Sequence, residues 1–295
     1  MHSDQLEQMA HGAGFIAALD QSGGSSASTL AHYGIPSTAY SNDAEMFTLM
    51  HQMRTRIITN PAFTGDRIIA TILFEDTIDR SIGGMDAAAY VWEKKHVVPF
   101  VKVDKGLAPE AHGVRLMNPM PGLDALLAKA IAKGVFGTKM RSFIHLADPT
   151  GIAAIVEQQF EIALRIRASG LMPILEPEVD IHSPDKGAAE AVLQRLLLEY
   201  VERLRPGEQV MLKLTLPEQD DLYAPLVGHP HVLRVAALSG GYTQQEATTR
   251  LARNHGVIGS FSRALLEGLR YTQSEPEFTS VLQRSVAQVY AASIT

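Results

Sequence analysis

The chain of 295 residues contains no cysteine. Disulfide bonds, zinc–thiolate sites and cysteine nucleophiles are therefore excluded. The eleven histidines are scattered along the chain, and no HExxH motif is present. The closest pair, His229 and His231, lies in a GHPH segment that is typical of a turn. The sequence therefore gives no support to a metal centre, and we expect neither a metal nor an organic cofactor.

Long apolar runs and clusters of positive charge are also missing. No apolar run approaches the roughly 18 residues that a membrane span requires. The first ten residues, MHSDQLEQMA, lack the basic start and apolar stretch of a signal peptide. The net charge is −6, and there is no basic run of the kind that nucleic-acid-binding proteins carry. We expect a soluble cytoplasmic protein with a small-molecule ligand, and we expect it to bind neither membranes nor nucleic acids.

Eight short apolar segments recur along the chain, with helical patterns between them. They span residues 14–21, 67–74, 97–104, 134–142, 171–179, 209–216, 232–240 and 256–264. Such alternation implies parallel strands joined by helical crossovers, and eight units suggest a closed (β/α)₈ barrel of the TIM type. No linker rich in proline, glycine or serine interrupts the series, so residues 1–295 are predicted to form one domain. An open doubly wound sheet is the competing architecture.

Two dipeptides signal where helices begin. Asp-Pro at 148–149 predicts an N-cap followed by proline in the first turn, and Ser-Pro at 183–184 predicts a second start of the same kind. Each lies between two predicted strands. Both helices are therefore expected to be crossovers that cover the outside of the sheet.

Polar side chains fall on one face of the predicted strands. Because side chains alternate between the two faces of a strand, residues two apart share a face. This spacing joins Lys102 with Asp104, Lys139 with Arg141, Glu176 with Glu178, and Lys213 with Thr215. The opposite faces are apolar, as a sheet covered by helices requires. In a barrel the polar face points inward and the late strand positions reach the mouth, where the active sites of such barrels lie.

Part of this polar set is expected to be structural. A buried charge is costly unless an opposite charge and hydrogen bonds satisfy it. Asp104 beside Lys102 and Lys105, and Glu178 near Arg141, are the candidates for such ion pairs. The set as a whole, with Asp20 and Ser239 closing their own strands, is typical of a functional cluster rather than of a solvated sheet face.

Lys213 lies in the middle of the apolar segment VMLKLTLP. Burial and a nearby cation both disfavour an ammonium, and Lys139 on a neighbouring inner face is placed to supply that cation. Lowering the pKa of a lysine from ~10.4 to ~7 corresponds to roughly 4–5 kcal/mol. The neutral amine is a nucleophile towards ketones and aldehydes. Proton transfers to and from the resulting Schiff base need an acid and a base, for which Glu176 and Asp20 are of the right type.

Two glycine-rich turns follow predicted strands. QSGGSS at 21–26 follows the first, and LSGGY at 238–242 follows the seventh. Such turns present backbone N–H groups to anions, and the loops after strands 7 and 8 are a frequent phosphate site in barrels. Arg263, just past the eighth strand, is placed to join the second turn.

These segments, taken together and in order, resemble class I fructose-bisphosphate aldolases, in particular their short bacterial branch. The matching motifs are GFIAALDQSGGS, VKVDKG, GTKMRS, PILEPEV, VMLKLTLP, LSGGY and SFSRAL, spread over about residues 13–265. The resemblance implies a (β/α)₈ barrel and a metal-independent lyase. Its substrate would be fructose 1,6-bisphosphate, cleaved reversibly to dihydroxyacetone phosphate and glyceraldehyde 3-phosphate in glycolysis and gluconeogenesis.

The resemblance also implies roles for the residues that match. Lys213 matches the Schiff-base lysine and Glu176 the acid/base of dehydration and cleavage. Lys139 matches the lysine that supports imine formation, and Asp20 matches the aspartate that orients substrate and lysine. The remaining matches lie beside the site or at the two phosphates: Arg141 and Glu178 beside it, Ser22, Ser25 and Lys102 around the distal phosphate, and Ser239, Gly240, Gly241 and Arg263 around the phosphate at the ketose end.

The chain departs from the family pattern in two places. Vertebrate members end in a tyrosine that moves a proton on the enamine, whereas the last tyrosine here, Tyr290, falls in a predicted helix. The arginine that follows the first glycine-rich turn in some members has no counterpart, because Ser25 is followed by Ser-Ala-Ser-Thr. The sequence therefore leaves open the enamine proton donor and the details of the second phosphate site.

Two alternative functions remain at this point. One is another Schiff-base barrel enzyme, of the deoxyribose-phosphate aldolase or transaldolase type, although two phosphate sites fit poorly with substrates that carry one phosphate. The other is a non-catalytic barrel that binds sugar phosphates or a protein partner, against which the inward carboxylates argue. We also expect a homo-oligomer.

Overall fold

Eight parallel strands form a closed barrel in the computed structural model, which describes residues 3–295. The strands are β1 (Phe15–Leu19), β2 (Ile68–Leu73), β3 (Val98–Lys102), β4 (Gly137–Ile144), β5 (Met172–Val179), β6 (Val210–Thr215), β7 (Val232–Leu238) and β8 (Ile258–Phe261). Their order around the ring is β3-β2-β1-β8-β7-β6-β5-β4, and β3 pairs with β4 to close it. The predicted TIM barrel is confirmed, and each predicted apolar segment coincides with one of its strands, although β4 runs two residues beyond the predicted segment 134–142. Closure excludes the open doubly wound sheet.

Helices precede, connect and follow the strands. They are α1 (Ser3–His11), α2 (Gly24–Tyr33), α3 (Asp43–Thr59), α4 (Glu75–Ile78), α5 (Ala87–Lys95), α6 (Leu123–Ala132), α7 (Pro149–Ala168), α8 (Lys186–Val201), α9 (Ala224–Val227), α10 (Gln244–Leu251), α11 (Arg263–Leu266) and α12 (Glu275–Ser293). A 3₁₀ turn lies at Ser37–Ala39, an antiparallel pair at Ser81–Ile82 and Met85–Asp86, and a short strand at Val114–Arg115. None of the helices in residues 3–295 is long and apolar enough to cross a membrane.

The two predicted helix starts have different outcomes. Asp148 caps α7, its carboxylate accepting a 2.9 Å hydrogen bond from the Gly151 N–H, as expected. The predicted cap at Ser183 is wrong, because α8 begins at Lys186 with Asp185 in the N-cap position. The Ser183 hydroxyl instead accepts from the Asp185 N–H at 3.3 Å, within a turn that precedes the helix.

The inner face of the barrel changes from apolar to charged along the strands. Near their amino ends the interior is filled by buried apolar side chains, which include Ile16, Ile72, Phe100, Met172, Ile174 and Met211. Helix α1 covers that end, with Met9 packed into the same cluster. Arg234 fixes α1 there by donating hydrogen bonds to the carbonyls of Met9 and Ala10 at 3.0 and 2.8 Å. The charged side chains of the strands therefore meet at the other end, which is the mouth.

The outward faces of the strands form the larger core beneath the helices. It includes the residues predicted from alternation to be apolar and opposite the charges, namely Val101, Val103, Met140, Leu175, Leu212 and Leu214. Each side chain is essentially inaccessible to solvent. Burial of both faces explains why these strands read as nearly continuous apolar runs.

Candidate active site

Four charged side chains meet at the centre of the barrel mouth. Lys213 Nζ lies 2.8 Å from Glu176 Oε1, and Lys139 Nζ lies 2.8 Å from Glu176 Oε2. Lys139 Nζ is also 2.6 Å from Asp20 Oδ2. The side chains of Lys213, Lys139 and Glu176 are only 4–5% exposed. The strands β1, β4, β5 and β6 thus bring together the four residues that the sequence analysis assigned to catalysis.

Burial and neighbouring charges shift the pKa values of this cluster in opposite directions. Burial alone would raise the pKa of Asp20, but the Lys139 and Lys213 ammonium groups outweigh it and lower that pKa to about 2. Burial likewise opposes ionisation of Glu176, and the same two lysines hold its pKa below the usual value. For Lys139, burial disfavours the ammonium, yet Asp20 and Glu176 raise its pKa above that of an ordinary lysine. Both carboxylates are therefore ionised, and Lys139 is a permanent cation.

The two interior lysines differ in their carboxylate contacts. Within residues 3–295, Lys139 contacts two carboxylates, whereas Lys213 contacts Glu176 alone. Glu176 is therefore a bridge between the two amines, with one carboxylate oxygen on each. Lys213 is therefore the amine held by fewer carboxylates.

The ion pairs expected at the rim are present, with one exception. Lys102 Nζ lies 2.7 Å from Asp104 Oδ1, and the Arg141 guanidinium is paired with Glu178. Burial would lower the pKa of Arg141, but Glu178 more than offsets this and raises it. Lys105 does not pair with Asp104 as expected, since its Nζ reaches Glu75 Oε2 at 2.7 Å.

These residues line a cavity of about 690 Å³ at the mouth. Sequence-predicted residues form much of its wall: Asp20, Ser22, Ser25, Lys102, Lys139, Arg141, Glu176, Glu178, Lys213 and Arg263. In the turn after β1, Ser25 Oγ donates to the Ser22 carbonyl at 2.8 Å and accepts from the Ser22 N–H at 3.0 Å. That turn is therefore closed on itself by its own serine.

The second glycine-rich turn lies beside this cavity. Gly240 has φ of +62°, and a Cβ there would lie 2.5 Å from Ile181 Cγ2, so only glycine fits. A Cβ on Gly241 would lie 3.6 Å from Arg263 Nη2, which places the guanidinium against the turn as predicted. Ser239 is buried at the end of β7. Gly241 lines an adjoining groove of about 340 Å³ rather than the main cavity, and Arg263 lines both.

Sequence reasoning missed Arg54, which lies completely buried on α3 behind the turn after β1. It donates hydrogen bonds to the Gln21 carbonyl at 2.5 Å and to Thr77 Oγ1 at 2.9 Å. Burial lowers its pKa to about 10, and the negative charge of Asp20 limits that shift. The sequence did contain a signal of its burial, because Arg54 lies on the same helix face as the apolar residues Met46, Met50, Met53 and Ile57.

Sequence reasoning also missed Arg115 and Gln21, which line the cavity. Gln21 Nε2 donates to Ser262 Oγ at 2.7 Å and so links the turn after β1 to the start of α11. Gln21 stands at the end of the first predicted strand segment and at the start of the QSGGSS turn, but that pattern did not single out its side chain. Arg115 stands in no segment with helical or strand periodicity, so its position carried no signal.

The last tyrosine of the chain lies in a helix, as expected. Tyr290 is on α12, and the Arg67 guanidinium lies 5.6 Å from its ring centroid. Arg67 immediately precedes β2, so this contact is at the amino end of the strands. Tyr290 is therefore on the opposite side of the barrel from the mouth and from Lys213.

The matching family model and the similar curated proteins point to one family. A family model described as fructose-bisphosphate aldolase class-I matches residues 4–219. A fructose-bisphosphate aldolase class 1 from Synechocystis sp. is 59% identical over 294 residues, covering 100% of this chain and 98% of that protein. Its counterpart from Porphyromonas gingivalis is 53% identical over 294 residues, with 100% of both chains covered.

A solved structure shares the fold. It is a fructose-bisphosphate aldolase from Plasmodium falciparum in complex with TRAP and a small molecule inhibitor, with a TM-score of 0.78. The match covers 99% of this chain and 95% of that chain at 18% identity, so the likeness concerns architecture alone. Sequence identity above 50% along the whole chain carries the assignment. The chain belongs to the family of class I fructose-bisphosphate aldolases, which are metal-independent lyases.

Proposed function

We propose that this chain cleaves fructose 1,6-bisphosphate reversibly to dihydroxyacetone phosphate and glyceraldehyde 3-phosphate, through a Schiff base on Lys213. The observation that carries the proposal is the buried carboxylate of Glu176, shared at 2.8 Å by Lys213 and Lys139. A nucleophilic amine, a proton acceptor and a fixed cation thus stand together in one cavity. Family membership favours this reaction over the deoxyribose-phosphate aldolase, transaldolase and binding-protein alternatives.

Lys213 is the nucleophile in this proposal. Its neutral amine adds to the C2 ketone of the open-chain sugar and gives a carbinolamine. The carbinolamine hydroxyl takes a proton from an acid and leaves as water, which forms an iminium ion. Lys139 stays protonated because of Asp20 and Glu176, so it cannot compete as nucleophile and instead supplies positive charge beside the oxygen that departs.

Glu176 is the acid and base. As a carboxylate it takes the proton of the C4 hydroxyl, and the C3–C4 bond then breaks with its electron pair moving toward the iminium nitrogen. Glyceraldehyde 3-phosphate leaves and an enamine remains. Protonation of the enamine carbon and hydrolysis of the iminium by water release dihydroxyacetone phosphate and restore the amine. Asp20, which also contacts Lys139, orients substrate and lysine.

The phosphates are assigned to two parts of the mouth. The ketose-end phosphate is proposed to bind at Ser239, Gly240, Gly241 and Arg263, where backbone N–H groups and a guanidinium meet. The distal phosphate is proposed to bind near Ser22, Ser25 and Lys102. Arg141 and Glu178 neutralise each other and are proposed to shape the wall between these sites.

Turnover of fructose 1,6-bisphosphate with EDTA present tests the proposal. Wild type and the control Lys105→Ala, a half-exposed lysine paired with Glu75, are expected to be active. Lys213→Ala is expected to lose at least about 1,000-fold in kcat, because the covalent route is closed. Activity of Lys213→Ala near that of wild type would overturn it.

Location in the cytoplasm and assembly into a homo-oligomer stay predictions from the sequence. Light scattering coupled to size-exclusion chromatography measures the second directly. A mass equal to one chain of 32.1 kDa would contradict it.

A further inference from the structure

Arg115 lies on a short strand that folds back onto the end of β4. Val114–Arg115 pairs antiparallel with β4, with Arg115 directly opposite Phe143. Residues directly opposite each other in an antiparallel pair point to the same face, and Phe143 shares its face with Arg141 and Lys139. Arg115 therefore points to the inside of the mouth, where it lines the cavity with Lys213.

The loop that carries Arg115 is fixed to the barrel at several points. Gln158 on α7 exchanges two hydrogen bonds with the Met117 backbone, at 2.9 and 3.1 Å. His145 and Leu146, just past β4, donate to the Gly113 carbonyl at 2.8 and 2.9 Å. Arg115 is thus held by a braced segment.

The guanidinium of Arg115 is only partly used. Nε donates to the Ala108 carbonyl at 2.9 Å and Nη2 to the Leu107 carbonyl at 3.3 Å. An arginine has five N–H donors, and three of these find no acceptor within residues 3–295. No carboxylate in this part of the chain pairs with it either, although the neighbouring cations Lys102 and Arg141 each have one.

Barrel topology places Arg115 opposite the other uncompensated arginine of the cavity. Arg263 follows β8, and in the ring order β4 and β8 are four strands apart in both directions. Lys213 stands on β6, two strands from each. Two arginines without carboxylate partners among the described residues therefore come from opposite sides of the same cavity, and the strand of Lys213 lies halfway between them in the ring.

We propose that Arg115 binds the second phosphate, the one farther from Arg263, and so sets the preference for doubly phosphorylated ketoses. The inference rests on the proposed function and adds the cation that the first glycine-rich turn lacks, since Ser22 and Ser25 carry no charge and Asp104 neutralises Lys102. Guanidinium groups bind phosphate in bidentate fashion with charge-assisted hydrogen bonds. The three unused N–H donors of Arg115 suit that role.

The test compares kcat/KM for fructose 1,6-bisphosphate and fructose 1-phosphate, which lacks the distal phosphate. For Arg115→Ala we expect about a 10- to 100-fold loss with the bisphosphate, as for a charged hydrogen bond, and less than about 3-fold with the monophosphate. Arg115→Lys keeps a point charge and should recover part of the loss. The matched control Arg263→Ala should lower kcat/KM by similar factors for both substrates.

The outcomes distinguish failure of the Arg115 inference from failure of the proposed function. If Arg115→Ala lowers kcat/KM equally for both substrates, Arg115 only stabilises the backbone at residues 107–108 and the inference is overturned. No loss on either substrate also overturns it, while the proposed function stands as long as wild type is active. If wild type cleaves neither ketose, the proposed function itself fails and this inference fails with it.

Discussion

At the scale of single residues, the site separates two lysines by their partners rather than by their burial. Lys139 is held as a cation by Asp20 and Glu176, whereas among residues 3–295 Lys213 has only the shared Glu176. A buried ammonium is stable only where carboxylates offset its desolvation. The lysine with fewer partners is therefore the one available for chemistry.

Removing Lys139 should change the pH dependence of activity as well as its level. Burial raises the pKa of Glu176 and Lys139 is the strongest influence that lowers it, so Lys139→Met should raise that pKa. Glu176 acts as a carboxylate, so the acid limb of kcat/KM should move to higher pH, with about a 100-fold loss at the optimum. Lys105→Met is the control. An acid limb that does not move would contradict this account of Glu176.

Sequence reasoning at this scale found the inward charges because the two-residue period of a strand fixes which side chains share a face. It could not find their partners, which depend on neighbouring strands and loops. Lys105 was expected to join Asp104 but reaches Glu75 on α4 instead. Arg115 carried no signal, because a loop without periodicity gives no direction to its side chains.

At the scale of elements, the two helix starts show what an N-cap needs. Asp148 and Asp185 occupy the N-cap positions of α7 and α8, but only Asp148 accepts a backbone hydrogen bond through its side chain. The same sequence signal at 148–149 and 183–184 therefore gave one correct prediction and one wrong one. The Ser183 hydroxyl is hydrogen-bonded within the turn before α8. The Ser-Pro dipeptide alone does not predict that turn.

This difference predicts unequal effects of alanine. Asp148→Ala should lower the free energy of unfolding by about 1 kcal/mol, since it removes a capping hydrogen bond. Asp185→Ala, at the same helix position without that bond, should change it by less than about 0.5 kcal/mol. Urea denaturation measures both. Equal losses would show that the side-chain bond to Gly151 contributes nothing.

At the scale of the whole molecule, the barrel closes where Gly137 leaves room. A Cβ at Gly137 would lie 2.2 Å from the Met172 carbonyl oxygen and 2.5 Å from Phe100 Cε1. Phe100 and Met172 are its register partners on β3 and β5. Glycine at the start of β4 therefore allows the last pair of strands to meet around the apolar interior.

Gly137→Ala should destabilise the whole barrel by about 1–3 kcal/mol, because a close-packed interior must shift to admit one methyl group. The control is Gly187→Ala on α8, where a Cβ would meet no atom of residues 3–295 within 4 Å outside its own stretch of helix. That change should be stabilising by about 0.5–1 kcal/mol, as expected for alanine in a helix. An unchanged free energy of unfolding for Gly137→Ala would contradict this packing.

Single-domain organisation stays a prediction, for which one cooperative urea transition is the expected sign.

Sequence reasoning went furthest at this largest scale, because strand–helix alternation over eight units leaves few architectures. Two features of the closed ring were beyond its reach. Tyr290 lies at the end of the barrel away from Lys213, and Arg115 and Arg263 lie on opposite sides of the mouth. Both depend on how the ring closes, since neither is a property of any one segment.

Borohydride trapping with dihydroxyacetone phosphate in the presence of EDTA, followed by peptide mass spectrometry, shows directly whether Lys213 forms the Schiff base. Reduction converts a Schiff base into a stable secondary amine, so the modified lysine can be identified. We expect one adduct, on Lys213. An adduct on Lys139, or no adduct in an enzyme that remains active, would contradict it.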